Sequence, residues 1–379
     1  MSKFRVMLTG GGSGGHIYPI IGVATELQLE CAKLGIDLRL KYLGSCGDYR
    51  EQLEANNIKV TGIVSNKVRR YFSLLNLFEA PKFILGLLQA LWGTYWFMPD
   101  VLFSKGGPGA FAVVLAARFY RIPVVIHESD SIPGLTNSLS AKYAKVISTS
   151  FGLTSEYLGN GSILVGNPLR KAILANIKIN KEQAKTKLGF DEKKPLIFVC
   201  GGSLGSVRIN NFILKNLPLI LEVSQVLHQT GKDNYEEVLR RASETLADLP
   251  EKIRNGYIAV NFLETGEQIQ NAYMASDLVV SRAGASTIFE IAAFGKPSIL
   301  IPLPESAQDH QRSNAYEYES LGAGYMIEEE NLLTNLFLDR VINILSDKEK
   351  YNNASEAARK FAKPEAALNL ARILMRFIN

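Results

Sequence analysis

Cysteine is scarce in this chain of 379 residues: Cys31, Cys46 and Cys200 are the three. An odd number at wide spacing excludes both a disulfide framework and a CxxC metal pair, and points to a reducing compartment. Histidine is nearly as rare. His16, His127, His228 and His310 are the four, and none stands in an HxxxH or HExxH arrangement, so they do not read as a zinc set. No DxD pair is present to hold a divalent metal against a nucleotide diphosphate. Long apolar runs are missing as well. The longest, Phe83 to Met98, contains Gln89 and is too short and too polar to span a bilayer. The N-terminal MSKFRVMLTGGG has no signal-peptide core, because Arg5 interrupts its apolar run and glycines end it; it reads as a first strand.

What is present is ordinary globular composition, 47% hydrophobic and 21% charged, which excludes disorder and fibrous repeats. The length suits two domains. A net charge of +5 favours anionic partners only where the basic residues cluster. Short apolar runs alternate with helical patterns, the mark of an α/β fold with parallel sheets. Expected strands are Phe4 to Leu8, Leu38 to Leu43, Val60 to Val64, Val101 to Phe103, Val124 to His127 and Val146 to Ser148. Asn167 to Lys194 is polar and lysine-rich, and a second series follows: Leu196 to Cys200, Gln225 to Gln229, Ile258 to Phe262, Leu278 to Ser281 and Ser298 to Pro302. The two series start alike, KFRVMLTGGGSGG and KPLIFVCGGSLGS. This weak duplication predicts two Rossmann-like domains, with ligand sites at the carboxyl ends of both sheets and an active cleft between them.

Three strand-to-helix junctions carry candidate chemistry. Gly10 to His16 offers a tight turn and a helix N-terminus to an anion. Its spacing satisfies GxGxxG, but the second strand ends at Leu43-Gly44-Ser45 without the acid a dinucleotide ribose needs, and the loop lacks the GK[ST] of a P-loop. A purely structural turn stays open here. Gly201, Gly202, Ser203 and Gly205 form the second loop, suited to a diphosphate or to a plain N-cap at Ser203. In SRAGASTIFE, Ser281 to Glu290, a carboxylate one turn into the helix suits the two hydroxyls of a ribose, or is a solvated helix glutamate. All four histidines fall at or just after expected strand ends, although for any single one a structural role is the better expectation.

Lys67 to Met98 joins Lys67, Arg69, Arg70 and Lys82 to Phe78, Trp92, Trp96 and further apolar residues. Pro81 predicts two shorter helices. More apolar surface is present than one core-facing stripe requires, so the segment reads either as helices packed on the sheet or as an interfacial seat on anionic lipid, with the basic residues favouring the latter.

In order along the chain stand GGSGGH (Gly11 to His16), RRYFSLLN (Arg69 to Asn76), GGPGA (Gly106 to Ala110), HESDSIPGLTN (His127 to Asn137) and GNPLR (Gly166 to Arg170). GGSLGSVRIN (Gly201 to Asn210), HQTGK (His228 to Lys232), SRAGAST (Ser281 to Thr287) and DHQRSNA (Asp309 to Ala315) follow. Together they resemble the MurG family of bacterial cell-wall glycosyltransferases, glycosyltransferase family 28, over nearly the whole chain. The resemblance implies a GT-B fold, two Rossmann-like doubly wound parallel-sheet domains with an interdomain cleft. Residues 1–166 would form the acceptor-binding, membrane-associating domain and 167–363 the donor-binding domain, with a last helix over about 364–379 packing back on the first.

The implied reaction moves N-acetylglucosamine from UDP-N-acetylglucosamine to the C4 hydroxyl of a polyprenyl-diphosphate muramyl-pentapeptide, with inversion and without metal or other cofactor. It implies a peripheral enzyme on the cytoplasmic face of the plasma membrane, with an anionic membrane surface and cell-wall assembly proteins as partners and no nucleic acid. Carried over by position, Ser13, Gly14 and Gly15 with His16 face the donor sugar and the acceptor diphosphate. Ser203 holds the diphosphate, with Arg170 near the phosphates. Backbone at Leu263 meets the uracil and Glu290 the ribose, while Ala285 and Ser286 backbone and Gln311 read the sugar hydroxyls. Thr287, Ile288, Phe289 and His310 belong to the same donor site. Asp130 stands where many relatives have Asn; an ionised carboxylate accepts but does not donate, so its sugar contact is inferred only. The general base is His16 first and Glu128 second. Rival readings are a related enzyme on another lipid acceptor, a UDP-sugar epimerase, and a nucleotide-binding peripheral membrane module without chemistry.

Overall fold

The computed structural model describes residues 3–65, 75–159, 161–174, 179–202 and 205–378, with backbone alone for 75–79. Arg69, Arg70, Ser203 and the Phe78 side chain therefore lie outside the described residues. The chain divides into two compact units, 1–171 together with 363–379, and 172–362.

In the first unit β1 (Lys3–Thr9), β2 (Asp37–Leu43), β3 (Lys59–Thr61), β4 (Val101–Ser104), β5 (Val124–Glu128), β6 (Val146–Thr149) and β7 (Ile163–Leu164) form one sheet in the order β3-β2-β1-β4-β5-β6-β7. All neighbours pair in parallel, with Val6 opposite both Leu40 and Val101. Strands covered on both faces read as unbroken apolar runs, and β4 and β5 are buried throughout. Alternation along β1 sends Phe4, Val6 and Leu8 into one core and Met7 into the other. The helix Ala366–Met375 closes the first of these cores. Its Leu370, Ala371, Ile373 and Leu374 cluster with Ile17, Ile20, Val23, Ala24 and Leu27 of the helix Gly14–Lys33.

In the second unit β8 (Leu196–Cys200), β9 (Gln225–Gln229), β10 (Tyr257–Val260), β11 (Leu278–Ser281), β12 (Ser298–Leu300) and β13 (Tyr325–Met326) follow the order β10-β9-β8-β11-β12-β13, again all parallel. Both sheets are doubly wound. The strand order reverses beside β1 and beside β8, so each unit has a switch point whose crevice opens at the carboxyl ends of the strands.

Two differences from the expected elements have local causes. The edge strands β7 and β13 are two residues each, too short to leave a periodic signal. Pro81 does not divide its segment: one helix runs Leu75–Phe97 with the proline inside. A proline removes a single ladder hydrogen bond, and the residues beyond it are held against the sheet, with Phe83, Leu87, Leu91 and Phe97 packed on the core around Met7, Leu102 and Val113.

Candidate functional site

At the switch point of the first unit, the turn after β1 is pressed against the loop after β2. The Tyr42 hydroxyl lies 2.7 Å from the carbonyls of both Gly10 and Ser45, and a Cβ on Gly12 would approach the Gly47 amide to 2.9 Å. Only glycine fits there. Ser13 takes the extended N-cap conformation, yet its hydroxyl does not cap the helix; it bonds His16 Nδ1 at 2.8 Å instead. Of the first amides of the helix, that of Gly14 donates to the Tyr49 hydroxyl, and Gly15 faces open space. A Cβ on either Gly11 or Gly107 would come within 3.0 Å of a nitrogen of the His16 ring, so the two glycine loops together make the slot that fixes the imidazole.

Beside His16 lies a buried polar cluster built from the loops after β4 and β5. Lys105, which sequence reasoning did not single out, is 3% exposed. Its Nζ contacts Ser129 Oγ and donates to His127 Nδ1 at 2.7 Å. His127 Nε2 donates to the Gly166 carbonyl at 2.9 Å, and Ser129 donates to Asn167 Oδ1 at 3.2 Å. His127 is therefore a structural histidine that holds Lys105. Glu128 is also enclosed: Oε1 accepts from the Asp130 amide (3.1 Å), and Oε2 from the Gly134 amide (3.0 Å) and Asn137 Nδ2 (2.9 Å). Burial pushes its carboxyl up, as does Asp130, against the pull of these hydrogen bonds. Lys105 is brought down to about 8 by burial, opposed by Glu128 and Asp130.

The half-buried His16 is lowered to about 4, by desolvation first and the Lys105 cation second, with Asp130 opposing. Burial likewise takes His127 well below its ordinary value and His228 to about 3. All three stay neutral in the folded protein at pH 5 to 7, whereas the unfolded chain takes up protons as the pH falls through 6.5. The unfolded state then binds more protons, so stability should drop on acidification from pH 7 to 5, by up to about 1.4 kcal/mol per pH unit for each histidine. Denaturant midpoints at pH 7 and 5 check this, and His228→Gln should remove one histidine's share of the slope.

Arg170 stacks on the Tyr18 ring at 4.3 Å, and Tyr18 meets Tyr49 edge-on at 5.5 Å. The Tyr49 hydroxyl in turn lies where a Cβ on Gly14 would be 3.0 Å away. One basic group is thus tied to the start of the first helix through two aromatic rings.

In the second unit the turn after β8 is equally tight. Gly205 has φ +74, and a Cβ on it would fall 2.0 Å from the Thr230 carbonyl. Gln229 joins two loops: its Nε2 donates to the Gly202 carbonyl (3.3 Å) and its Oε1 accepts from the Leu263 amide (3.2 Å). His228 donates from Nε2 to Asn210 Oδ1 and accepts from the Tyr257 hydroxyl, both at 3.0 Å, a second structural histidine. The helix Ala285–Ala293 starts at Gly284 without a side-chain cap. The Ile288 and Phe289 side chains are in the core, so any ligand contact there runs through backbone. Glu290 Oε2 accepts from the Tyr273 hydroxyl at 3.1 Å. Before the helix His310–Ser320, Gln308 and Asp309 hold φ of +58 and +56, strained for non-glycine residues. That turn presents His310, whose Nδ1 donates to the Ala307 carbonyl, and Gln311, whose Oε1 accepts from the Leu303 amide.

Residues 6–149 match the glycosyltransferase family 28 N-terminal domain and residues 196–370 its C-terminal domain. The chain belongs to glycosyltransferase family 28. It is 34% identical over 352 residues, 92% of each chain, to the UDP-N-acetylglucosamine--N-acetylmuramyl-(pentapeptide) pyrophosphoryl-undecaprenol N-acetylglucosamine transferase of Clostridium tetani. Among solved structures, MurG of Acinetobacter baumannii superposes with a TM-score of 0.76 at 25% identity, covering 98% of this chain and 99% of that one. The UDP-GlcNAc 2-epimerase of Neisseria meningitidis has a TM-score of 0.69 at 14% identity, over 99% of this chain and 100% of its own, a likeness of fold alone.

Within this family 28 chain the helix Leu75–Phe97 has a second apolar face. Ile84, Leu88, Trp92 and Trp96, spaced four residues apart, are all exposed, the tryptophans by 67% and 68%. Phe119 stands exposed as well, and Tyr95 meets Trp96 edge-on and Tyr120 at a tilt. Among the described residues no helix is long and apolar enough to cross a membrane, and no group of three or more His, Cys, Asp or Glu is placed to hold a metal ion.

Proposed function

We propose that this family 28 enzyme transfers N-acetylglucosamine from UDP-N-acetylglucosamine to the C4 hydroxyl of an undecaprenyl-diphosphate muramyl-pentapeptide, the reaction that turns lipid I into lipid II. The observation that carries the proposal is the match, over 92% of both chains, to a transferase of that name. The first unit meets the acceptor and the second holds the donor. His16 is the general base. With Nδ1–H donating to Ser13, its Nε2 lone pair takes the proton of the C4 hydroxyl as that oxygen bonds the anomeric carbon. The bond from that carbon to the phosphate oxygen breaks on the opposite face, and UDP leaves with the electron pair. Asp130 stabilises the imidazolium that forms. Glu128 positions its loop, because both its oxygens already accept N–H bonds.

The diphosphates are met by the amides of Ser13 and Gly15, by Arg170 and by Ser203 rather than by a metal. The amide of Leu263 is bonded to Gln229, so its carbonyl is the group for a uracil N–H. Glu290 accepts from the ribose, and the amides at Ala285, Ser286 and Thr287, with His310 and Gln311, serve the sugar.

The purified protein, given radiolabelled UDP-N-acetylglucosamine, should move label into lipid only when the lipid-linked muramyl acceptor is added. Label converted without acceptor, or UDP bound without turnover, overturns the proposal. The exposed stripe seats the enzyme on the cytoplasmic face of the plasma membrane. Replacing Trp92 and Trp96 by serine should cut flotation with anionic vesicles about tenfold or more while leaving thermal stability near wild type; unchanged flotation returns the stripe to mere surface.

A further inference from the structure

Glu290 carries a long side chain, and a carboxylate that must grip two adjacent hydroxyls has to be held in one rotamer. The hydroxyl of Tyr273, on the helix Gly266–Ala275, donates to Glu290 Oε2 at 3.1 Å. Tyr273 is 2% exposed. Its ring is clamped by Phe294, stacked at 5.0 Å, and by Phe198, edge-on at 5.4 Å, so the phenol cannot swing away. Burial, and next Glu290 itself, keep the phenol protonated far beyond neutral pH. It is therefore a permanent donor.

We infer that Tyr273 is a positioning residue for donor recognition, orienting the Glu290 carboxylate and thereby setting the preference of this enzyme for ribonucleotide over 2′-deoxyribonucleotide donors. The inference rests on Glu290 as the ribose ligand. Without the phenol, Glu290 loses a fixed hydrogen bond at Oε2, and more of the cost of ordering its carboxylate falls on ligand binding. That penalty falls on binding of a donor whose 2′-hydroxyl uses the carboxylate, and not on one that lacks it.

The test compares UDP-N-acetylglucosamine with its 2′-deoxyuridine analogue in wild type, Tyr273→Phe and Glu290→Gln. The phenylalanine keeps both ring contacts. For Tyr273→Phe, KM for the ribo donor should rise roughly tenfold with kcat within about twofold, and the ribo-to-deoxy ratio of kcat/KM should fall by the same factor. A merely structural role would weaken both donors equally and leave the ratio alone. An unchanged ratio in Tyr273→Phe together with a reduced one in Glu290→Gln overturns the inference and spares the ribose reading. An unchanged ratio in Glu290→Gln overturns both. Equilibrium binding of UDP and 2′-deoxy-UDP to the folded fraction repeats the comparison should Tyr273→Phe lower the yield of folded enzyme.

Discussion

His16→Ala is expected to lower kcat by about 10² to 10⁴-fold, the range of a general base, with KM for UDP-N-acetylglucosamine nearly unchanged. The slot formed by Gly11 and Gly107 and the Ser13 contact fix the ring, and nothing else in the described structure leans on its nitrogens, so the variant should stay folded. A base works unprotonated. Wild-type kcat/KM should therefore persist through pH 5 and fall only as pH drops through about 4, the value to which desolvation and Lys105 bring His16. Lys105→Met removes a cation that disfavours the imidazolium, so its acid limb should move to higher pH. Steady-state pH profiles of the three proteins decide this, and turnover near wild type in folded His16→Ala would remove His16 from the chemistry.

Glu128→Ala should cost about 3 to 5 kcal/mol of stability. Truncation strands the amides of Asp130 and Gly134 and the side chain of Asn137, and it leaves the buried Lys105 cation without one of the two carboxylates that favour it. Denaturant unfolding at pH 7 measures the loss. Glu128→Gln separates positioning from proton transfer: it retains an acceptor and should keep kcat within about tenfold of wild type. A drop as deep as that of His16→Ala would hand the base to Glu128.

Both variants trace to the part of the protein that sequence patterns reach least. The central strands were legible, because a strand buried on both faces must be a short apolar run: Leu196 to Cys200 and Leu278 to Ser281 are strands with those limits. The glycine turns were legible for the same local reason, since backbone approaches such as Gly205 to Thr230 admit no Cβ. The course of the chain through Pro81 was not, as packing far along the chain outweighs one missing hydrogen bond.

Of the four histidines, sequence placed each near a strand end and left its role open; the structure puts His127 and His228 inside the sheets and His16 and His310 at helix starts. By itself, then, the sequence determined two doubly wound sheets and the loops that carry the glycine motifs, because period and steric demand are local. Only tertiary structure decided that Lys105 lies against His127 and Ser129, that Glu128 is tied into its own loop, and that Tyr273 donates to Glu290. The first and the last join side chains from different loops or elements, and the energies of all three depend on burial, which no spacing along the chain records.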